Sequence, residues 1–228
     1  MKRISLILLF ATFSFGSVYS IGDTVNVEDQ NIPLNICYGE NEGSTVSLSD
    51  SRGKVILLGI DATWWPTTGC SIGLEIISQH YDSDPRIAIM QNLDGINQPY
   101  TCEQWADFGG IESYNLVDDG ESYELHTLFS TNGEWHSIAV FDPNMVFRYY
   151  GYSPPEYLID NLIEEILSES SWLLGDTNND SILDILDVVI IVNHIINQDV
   201  YNYISDINQD SIINIQDIIL LISEIINS

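Results

Sequence analysis

Two acidic segments near the C-terminus have the residue types and the spacing of calcium-binding loops. Residues 176–197 and 206–227 match at a fixed offset of 30, with ten of 22 positions identical. Calcium takes about six to eight oxygen ligands, and a loop that presents side chains at positions 1, 3, 5 and 12 surrounds it. Both segments carry Asp, Asn, Asp and Asp at those positions, so the repeat predicts two bound calcium ions.

The remaining loop positions complete each set of ligands. Position 7 contributes a backbone carbonyl, which leaves its isoleucine side chain free to turn into the core, and position 9 acts directly or through a water. One such loop also fits a polar turn between buried segments, but two in register, each followed by a predicted helix (186–197 and 216–227), favour metal binding. The predicted ligands are Asp176, Asn178, Asp180, Ile182, Asp184 and Asp187 in the first loop and Asp206, Asn208, Asp210, Ile212, Asn214 and Asp217 in the second.

The motif Gly175-Asp176-x-Asn178-x-Asp180, repeated as a pair with Asp at position 12, resembles the dockerin domain. This resemblance implies a small all-α module over residues 175–228, built from paired EF-hand-like (F-hand) loops that hold two Ca²⁺ ions. It also implies attachment to a cohesin domain on a scaffold or cell surface. Asp at position 12 fits dockerins better than ordinary EF-hands, which usually place Glu there.

Two features of the repeat depart from the dockerin pattern. Ser181 and Ser211 stand at position 6, where a glycine usually makes the sharp turn. Positions 10 and 11, which help dockerins select a cohesin, are largely apolar here (185–186 and 215–216) and match no specificity class. A calcium module without a cohesin partner is therefore the alternative.

The composition excludes several classes of function. The chain has 228 residues with 34 acidic and 6 basic side chains, a formal net charge of −28. So few cations cannot neutralise a row of phosphates, which excludes nucleic acid and disfavours an anionic membrane surface as partners. Hydrophobic residues make up 45% of the chain, enough to bury a core, so disorder is excluded as well.

The N-terminus predicts export. Lys2-Arg3 forms a basic region, residues 4–15 form an apolar run, and Val18-Tyr19-Ser20 offers a cleavage site near the bond between Ser20 and Ile21. We therefore expect residues 1–20 to be a signal peptide and the protein to be extracellular or periplasmic. The apolar run is too short to span a membrane, so no transmembrane segment is expected after cleavage.

Residues 21–168 form the larger predicted domain, joined to the calcium module by a polar linker over 169–174. Short Ile/Val-rich runs alternate with helix-like stretches and finish in a hairpin and a helix, which predicts an α/β sandwich around a mixed sheet. The predicted strands are 55–62, 86–94, 137–141 and 146–152, and the predicted helices are 70–81, 101–109, 121–130 and 155–168.

This domain carries a second family resemblance. The run over 46–58 and the motif Ala62-Thr63-Trp64 resemble the central strand, and the turn after it, of secreted thioredoxin-like proteins, the redoxin group. The resemblance implies a thioredoxin-like fold. That family continues with Cys-x-x-Cys and places a cis-proline before the hairpin, whereas this chain has 65–68 (Trp-Pro-Thr-Thr) and His136. Disulfide exchange needs an attacking and a resolving thiol, so we expect that cycle to be lost.

A different alignment keeps an enzyme hypothesis open. Thr67-Thr68-Gly69-Cys70 resembles the Thr-x-x-Cys of peroxiredoxins, although Thr63 stands where that family has proline. The resemblance implies that Cys70 is a nucleophile, that Thr67 positions the peroxide beside it, and that a distant arginine, Arg148 or Arg86, assists.

A structural disulfide is the simpler interpretation of the cysteines. Cys37, Cys70 and Cys102 allow three single pairings and leave one thiol over, and Cys70–Cys102 is the preferred pair. Two hypotheses follow. In the first, a dockerin-like tail anchors a redoxin-like cargo domain of degenerate thiol activity. In the second, the same tail tethers a thiol peroxidase or oxidoreductase that uses Cys70.

Overall fold

The computed structural model of the protein describes residues 18–64, 69–82, 84–120, 123–131, 133–169, 174–178, 182–197, 203–208, 210 and 212–227. Several sequence predictions fall outside those residues: the signal peptide up to residue 17, Thr67, Asp180, and residues 170–173 of the linker. Within the described residues, no helix is long and apolar enough to cross a membrane.

The described part of the N-terminal domain is a mixed sheet with helices packed against it. The seven strands lie in the order β2-β1-β5-β4-β3-β6-β7. β3, β4 and β5 run parallel, and the other pairings are antiparallel. The strands are β1 (Leu34–Tyr38), β2 (Thr45–Val46), β3 (Val55–Ala62), β4 (Ile87–Asp94), β5 (Asn115–Asp118), β6 (Ser137–Phe141) and β7 (Phe147–Tyr152). The helices are α1 (Val27–Gln30), α2 (Gly69–Tyr81), α3 (Cys102–Gly109), α4 (Glu124–Phe129) and α5 (Glu156–Glu169).

The central strand β3 is buried along its whole length, as expected for a continuous apolar run in a sheet covered on both faces. Alternate residues of β3 point to opposite sides of the sheet. Leu57 joins a core formed with α2, α3 and α5, while Ile56 joins a second core that contains Phe129 and Phe141. The predicted α/β sandwich is confirmed.

One edge of this sheet gathers the ends of several strands, and we call it the carboxyl edge. The parallel strands β3, β4 and β5 end there at Ala62, Asp94 and Asp118. β6 runs antiparallel to β3 and pairs Ser137 with Ile60, so β6 begins at the same edge. Tyr152 pairs with Ser137, which brings the end of β7 there too.

The predicted pairing of Cys70 with Cys102 is wrong, because the disulfide joins Cys37 to Cys102. Thr101 caps helix α3, and Cys102 begins that helix where it packs beside β1, which carries Cys37. Cys70 lies instead on the buried side of α2, and its thiol is free. The bond thus ties β1 to α3 and leaves Cys70 outside any disulfide.

Residue 19 belongs to the folded domain. Tyr19 is buried, its ring stacks on Phe129, and its backbone N–H donates to the carbonyl of Leu128. Its hydroxyl donates to Asp29 and accepts from Asn26. Cleavage at the predicted site after Ser20 would remove all of these contacts.

The C-terminal module consists of two helices that each follow an acidic loop. α6 (Ile185–Asn197) and α7 (Ile215–Asn227) begin one residue before the predicted positions. Val188 and Ile191 of α6 pack against Ile218 and Leu221 of α7 in a small core. Equivalent residues of the repeat therefore meet, so the module is built as a pair.

Candidate functional sites

Asp187, at position 12 of the first acidic loop, organises that loop. Its side chain is 0% exposed. One carboxylate oxygen accepts hydrogen bonds from the backbone N–H groups of Thr177 and Asn178, at 2.8 and 3.2 Å. The other oxygen accepts from the N–H of Asp184 at 2.9 Å. Position 12 thus connects the start of the loop to its end.

Asp217 does the same in the second loop and is also 0% exposed. It accepts from the backbone N–H groups of Ile207 and Asn208 at 2.8 and 3.3 Å, and from that of Asn214 at 2.8 Å. The hydrogen-bond pattern of the first loop is therefore repeated at the same offset, which shows that the sequence repeat is also a structural one.

Each loop buries a second carboxylate. Asp176 and Asp206, at position 1, are buried like Asp187 and Asp217. Segment 173–228 contains nine acidic residues and no Lys or Arg, so no basic side chain of the module compensates these charges. Among the described residues, which omit Asp180, no group of three or more His, Cys, Asp or Glu side chains is arranged to hold a metal ion. The calcium ligands remain a prediction.

One expectation about these loops is wrong. The side chains of Ile182 and Ile212 at position 7 do not turn into the core, because they are 60% and 61% exposed. The small core is already filled by Leu183 and Ile213, the next residue in each loop. The Ile212 carbonyl accepts a hydrogen bond from the side-chain amide of Asn214 at 3.2 Å.

The second candidate site lies in the N-terminal domain, around Cys70 at the carboxyl edge. Cys70 is 2% exposed, and its thiol donates to the carbonyl of Ser137 at 3.6 Å. Burial raises the pKa of the Cys70 thiol well above its usual value, and nearby Asp61 raises it further. A thiol in these surroundings stays protonated at neutral pH, whereas nucleophilic attack requires the thiolate.

The two arginines that the peroxiredoxin resemblance implies lie far from this thiol. Arg86 precedes β4 and pairs with Asp84 at 2.7 Å. Arg148 lies near the start of β7 and pairs with Glu169 at 2.8 Å. Both are at the edge of the sheet opposite the carboxyl edge, so neither guanidinium reaches Cys70.

Buried polar groups surround Cys70 in a hydrogen-bonded chain. His136 contacts Asp61 through Nδ1, and Gln91 donates to the other Asp61 oxygen at 3.0 Å. Tyr114 then donates to Gln91 at 3.0 Å. Burial raises the pKa of Asp61, while the His136 contact opposes that rise. His136 has a φ of 61°, in the left-handed region.

A pair of carboxyl groups, one buried and one half-buried, lies at the same edge. Asp94 ends β4 and is 0% exposed, and Asp119 follows the end of β5. Among the described residues, Asp94 Oδ2 and Asp119 Oδ1 have no hydrogen-bond donor. Burial and the neighbouring Asp119 carboxylate raise the pKa of Asp94 to about 9, and burial also raises the pKa of Asp119. The pair therefore shares a proton at neutral pH.

Sequence reasoning missed Asp61, Asp94, Asp119 and His136 as parts of a site. Asp61 had a detectable signal, since it directly follows the apolar run over 55–60, inside the predicted strand 55–62. Asp94 had none, because it ends a predicted strand whose last four residues are mostly polar. Asp119 had none, because the strand before it has four residues and was not predicted.

Comparisons with known proteins identify the fold. No protein-family profile matches the sequence. No curated protein matches it. The structure is similar to that of a protein described as a disulfide isomerase from Bacteroides thetaiotaomicron, with TM-score 0.51 and 16% identity, covering 68% of this chain and 93% of that one. It is also similar to a secreted thiol-disulfide isomerase from Corynebacterium glutamicum, with TM-score 0.51 and 15% identity, covering 72% and 98%.

These similarities confirm the thioredoxin-like fold predicted for the N-terminal domain. At such low identity they establish the fold and not the activity. They give no support to a dockerin module, which remains a proposal that rests on the repeat and on the loop geometry.

Proposed function

We propose that this chain is a secreted, calcium-binding protein whose C-terminal module attaches a thioredoxin-like domain to a cohesin-type partner. The observation that carries the proposal is the identical burial and hydrogen bonding of Asp187 and Asp217 in the two loops. The loops would hold two Ca²⁺ ions through the oxygens predicted from the sequence.

The need to compensate charge supports calcium binding. Two carboxylates buried in one loop repel each other, and no Lys or Arg of the module neutralises them. A hard divalent cation does so, and its binding free energy then adds to the folding free energy of the module. Calcium is also abundant outside the cell, where the predicted signal peptide would send the protein.

Exposed apolar residues at loop positions 10 and 11 support a protein partner. Ile185, Leu186 and Ile215 begin helices α6 and α7 and are exposed to solvent. These are the positions at which dockerins, the family that the repeat resembles, select a cohesin. Large apolar side chains on the surface of an otherwise acidic module are typical of a contact surface.

Calcium titration of the full chain tests the metal sites. We expect heat from two sites, a gain of helical circular dichroism signal on adding calcium, and its loss in excess EGTA. The variant Asp187→Asn with Asp217→Asn should lose both responses. Glu224→Gln removes an exposed acid of α7 outside the loops and should keep them. Unchanged heat in the double variant would refute the assignment.

Attachment is tested separately. Calcium-loaded full chain should bind an immobilised cohesin from the same source, and chelation should release it. Replacing Ile185 and Ile215 by Asp should abolish capture while leaving the calcium titration unchanged. If the protein binds calcium but captures no cohesin, the attachment proposal is wrong and the module is a calcium-binding module without that partner.

A second candidate function is thiol chemistry at Cys70, favoured by the fold shared with the two isomerases. In that case the Cys70 thiolate would attack a peroxide, forming a sulfenic acid and releasing an alcohol or water, and an added thiol would reduce it. The burial of Cys70 opposes this function. Peroxide consumption that disappears in Cys70→Ser but persists in a variant with Cys37 and Cys102 both replaced by Ser would establish it.

Export and the position of the cleavage site have their own test. N-terminal sequencing of the secreted protein should give Tyr19 or a residue upstream of it, since the contacts of Tyr19 require it in the mature chain. A mature N-terminus at Ile21 would support the cleavage site read from the sequence.

A further inference from the structure

An aromatic pocket of about 190 Å³ opens at the carboxyl edge of the N-terminal domain. It is smaller than the roughly 300–1,000 Å³ of sites for drug-sized ligands, so it suits a small group. Two tryptophans and a tyrosine are among its lining residues, together with one acidic side chain that adds a negative charge. The lining residues are Trp64, Gly133, Glu134, Trp135, His136 and Tyr152.

Contacts outside the pocket hold its two tryptophan walls in place. Trp64 packs over Gly95, where a β-carbon would lie 2.3 Å from the indole ring, so that glycine permits the position of Trp64. Trp135 stacks on His126, with ring centroids 3.6 Å apart and planes 10° apart. The two indole rings meet at 76° with centroids 5.0 Å apart.

These walls are rigid yet accessible. Trp64 remains 38% exposed although Gly95 and Tyr123 fix its ring. Contacts already immobilise this aromatic side chain on one side, while the other side is open to solvent. A ligand that binds the open side therefore causes little further loss of side-chain conformational entropy. The corner between Trp64 and Trp135 is therefore a preformed surface for a ligand.

The distribution of charge determines which ligand suits this corner. The Lys and Arg side chains of the described residues, namely Arg52, Lys54, Arg86 and Arg148, all lie at the edge opposite the carboxyl edge. Glu134 lines the pocket itself. The Asp94 and Asp119 pair lies at the same edge, next to Gly95, over which Trp64 packs. The potential at the pocket is thus negative.

We propose that this pocket binds a small organic cation, an alkylammonium group of the trimethylammonium type. Aromatic faces attract such cations through their quadrupoles, with tryptophan the strongest, and the ammonium carries methyl groups that pack against the rings. Glu134 adds a direct charge contact at the rim. The site includes no residue of the calcium loops, and it shares His136 with the polar network around Cys70.

The decisive experiment compares two ligands of equal shape. Choline and its uncharged carbon analogue 3,3-dimethylbutan-1-ol are titrated into the full-length protein in excess calcium, with tryptophan fluorescence and calorimetry as readouts. We expect choline to bind at least about tenfold more tightly than the analogue, because the attraction acts on the charge. Equal affinity of the two ligands would overturn the proposal and leave an apolar pocket only.

Variants locate the site. Glu134→Gln changes an exposed side chain and should weaken choline binding several-fold without altering the binding of the analogue. Trp64→Leu should remove most of the choline affinity, and the more conservative Trp64→Phe should retain part of it if the leucine variant fails to fold. Tyr157→Leu, which removes an exposed aromatic ring of α5, is the control. Choline affinity that is unchanged in both Glu134→Gln and Trp64→Phe would place the binding elsewhere and refute the proposal.

Discussion

Replacing the buried Asp94 by Asn tests the carboxyl pair that it forms with Asp119 at the carboxyl edge. Asn92 donates from Nδ2 to one oxygen of Asp94 at 3.0 Å, and the other oxygen has no donor among the described residues. An amide at this position keeps the acceptor for Asn92 and gives Asp119 a permanent N–H donor in place of a shared proton. The substitution therefore removes a titrating group while preserving the shape of the site.

The magnitude follows from the pKa of Asp94, which burial and the Asp119 charge raise from 3.8 to about 9. Between those pH values the folded protein holds a proton that the unfolded chain has released. The stabilisation from this proton is complete below the unfolded pKa and is lost as pH rises through the folded pKa. The free energy of unfolding should thus fall by about 1.4 kcal/mol per pH unit from this group.

Asp94→Asn should abolish this contribution. We expect the variant to be more stable than the unmodified protein at pH 7, by about 1–4 kcal/mol, with a difference that increases with pH. Urea unfolding from about pH 5 to about pH 8 in excess calcium measures both the difference and its slope. Asp118→Asn is the matched control, because Asp118 is the neighbouring acid and accepts from the Gly120 N–H at 2.8 Å without being fully buried.

This reasoning is refuted if the free energy of unfolding changes with pH equally in the Asp94→Asn variant and in the unmodified protein. That result would mean that the pair does not retain a proton in the folded state. If Asp118→Asn changes the pH dependence of the free energy of unfolding as much as Asp94→Asn does, the effect belongs to the many acidic side chains at this edge and not to the pair.

Three further predictions concern stability. Replacing Cys37 and Cys102 by Ser should lower the free energy of unfolding by about 4 kcal/mol, because the disulfide closes a loop of 65 residues. Urea unfolding measures this loss, and reduction of the disulfide in the unmodified protein should have a similar effect. Tyr19→Ala should cost about 2–4 kcal/mol through loss of buried packing, and Tyr19→Phe about 1 kcal/mol through loss of its hydroxyl contacts, both measured by thermal unfolding. Gly175→Ala should lower the melting temperature of the C-terminal helices, because φ is +97° and a β-carbon would lie 2.6 Å from Leu221; an unchanged melting curve would show that the turn adjusts.

Much of the fold was predictable from local patterns. The predicted strands over 55–62 and 137–141 match β3 and β6 at both ends. Each is a mostly apolar run bounded by turn residues, and the burial of such a run is enough to predict a strand. Strands β1, β2 and β5 were missed. They have two to five residues each, and β1 pairs with β5, a partner distant in the sequence.

The sequence alone determined the pair of acidic loops, the helices behind them and the longer strands and helices of the N-terminal domain, because each rests on a spacing or periodicity confined to one segment. Only the tertiary structure decided what meets at the carboxyl edge. Asp94 and Asp119 come together because β4 and β5 are adjacent and parallel, and Cys37 pairs with Cys102 because α3 packs beside β1. Such contacts join residues far apart in the chain, so their energies depend on packing that no local pattern encodes.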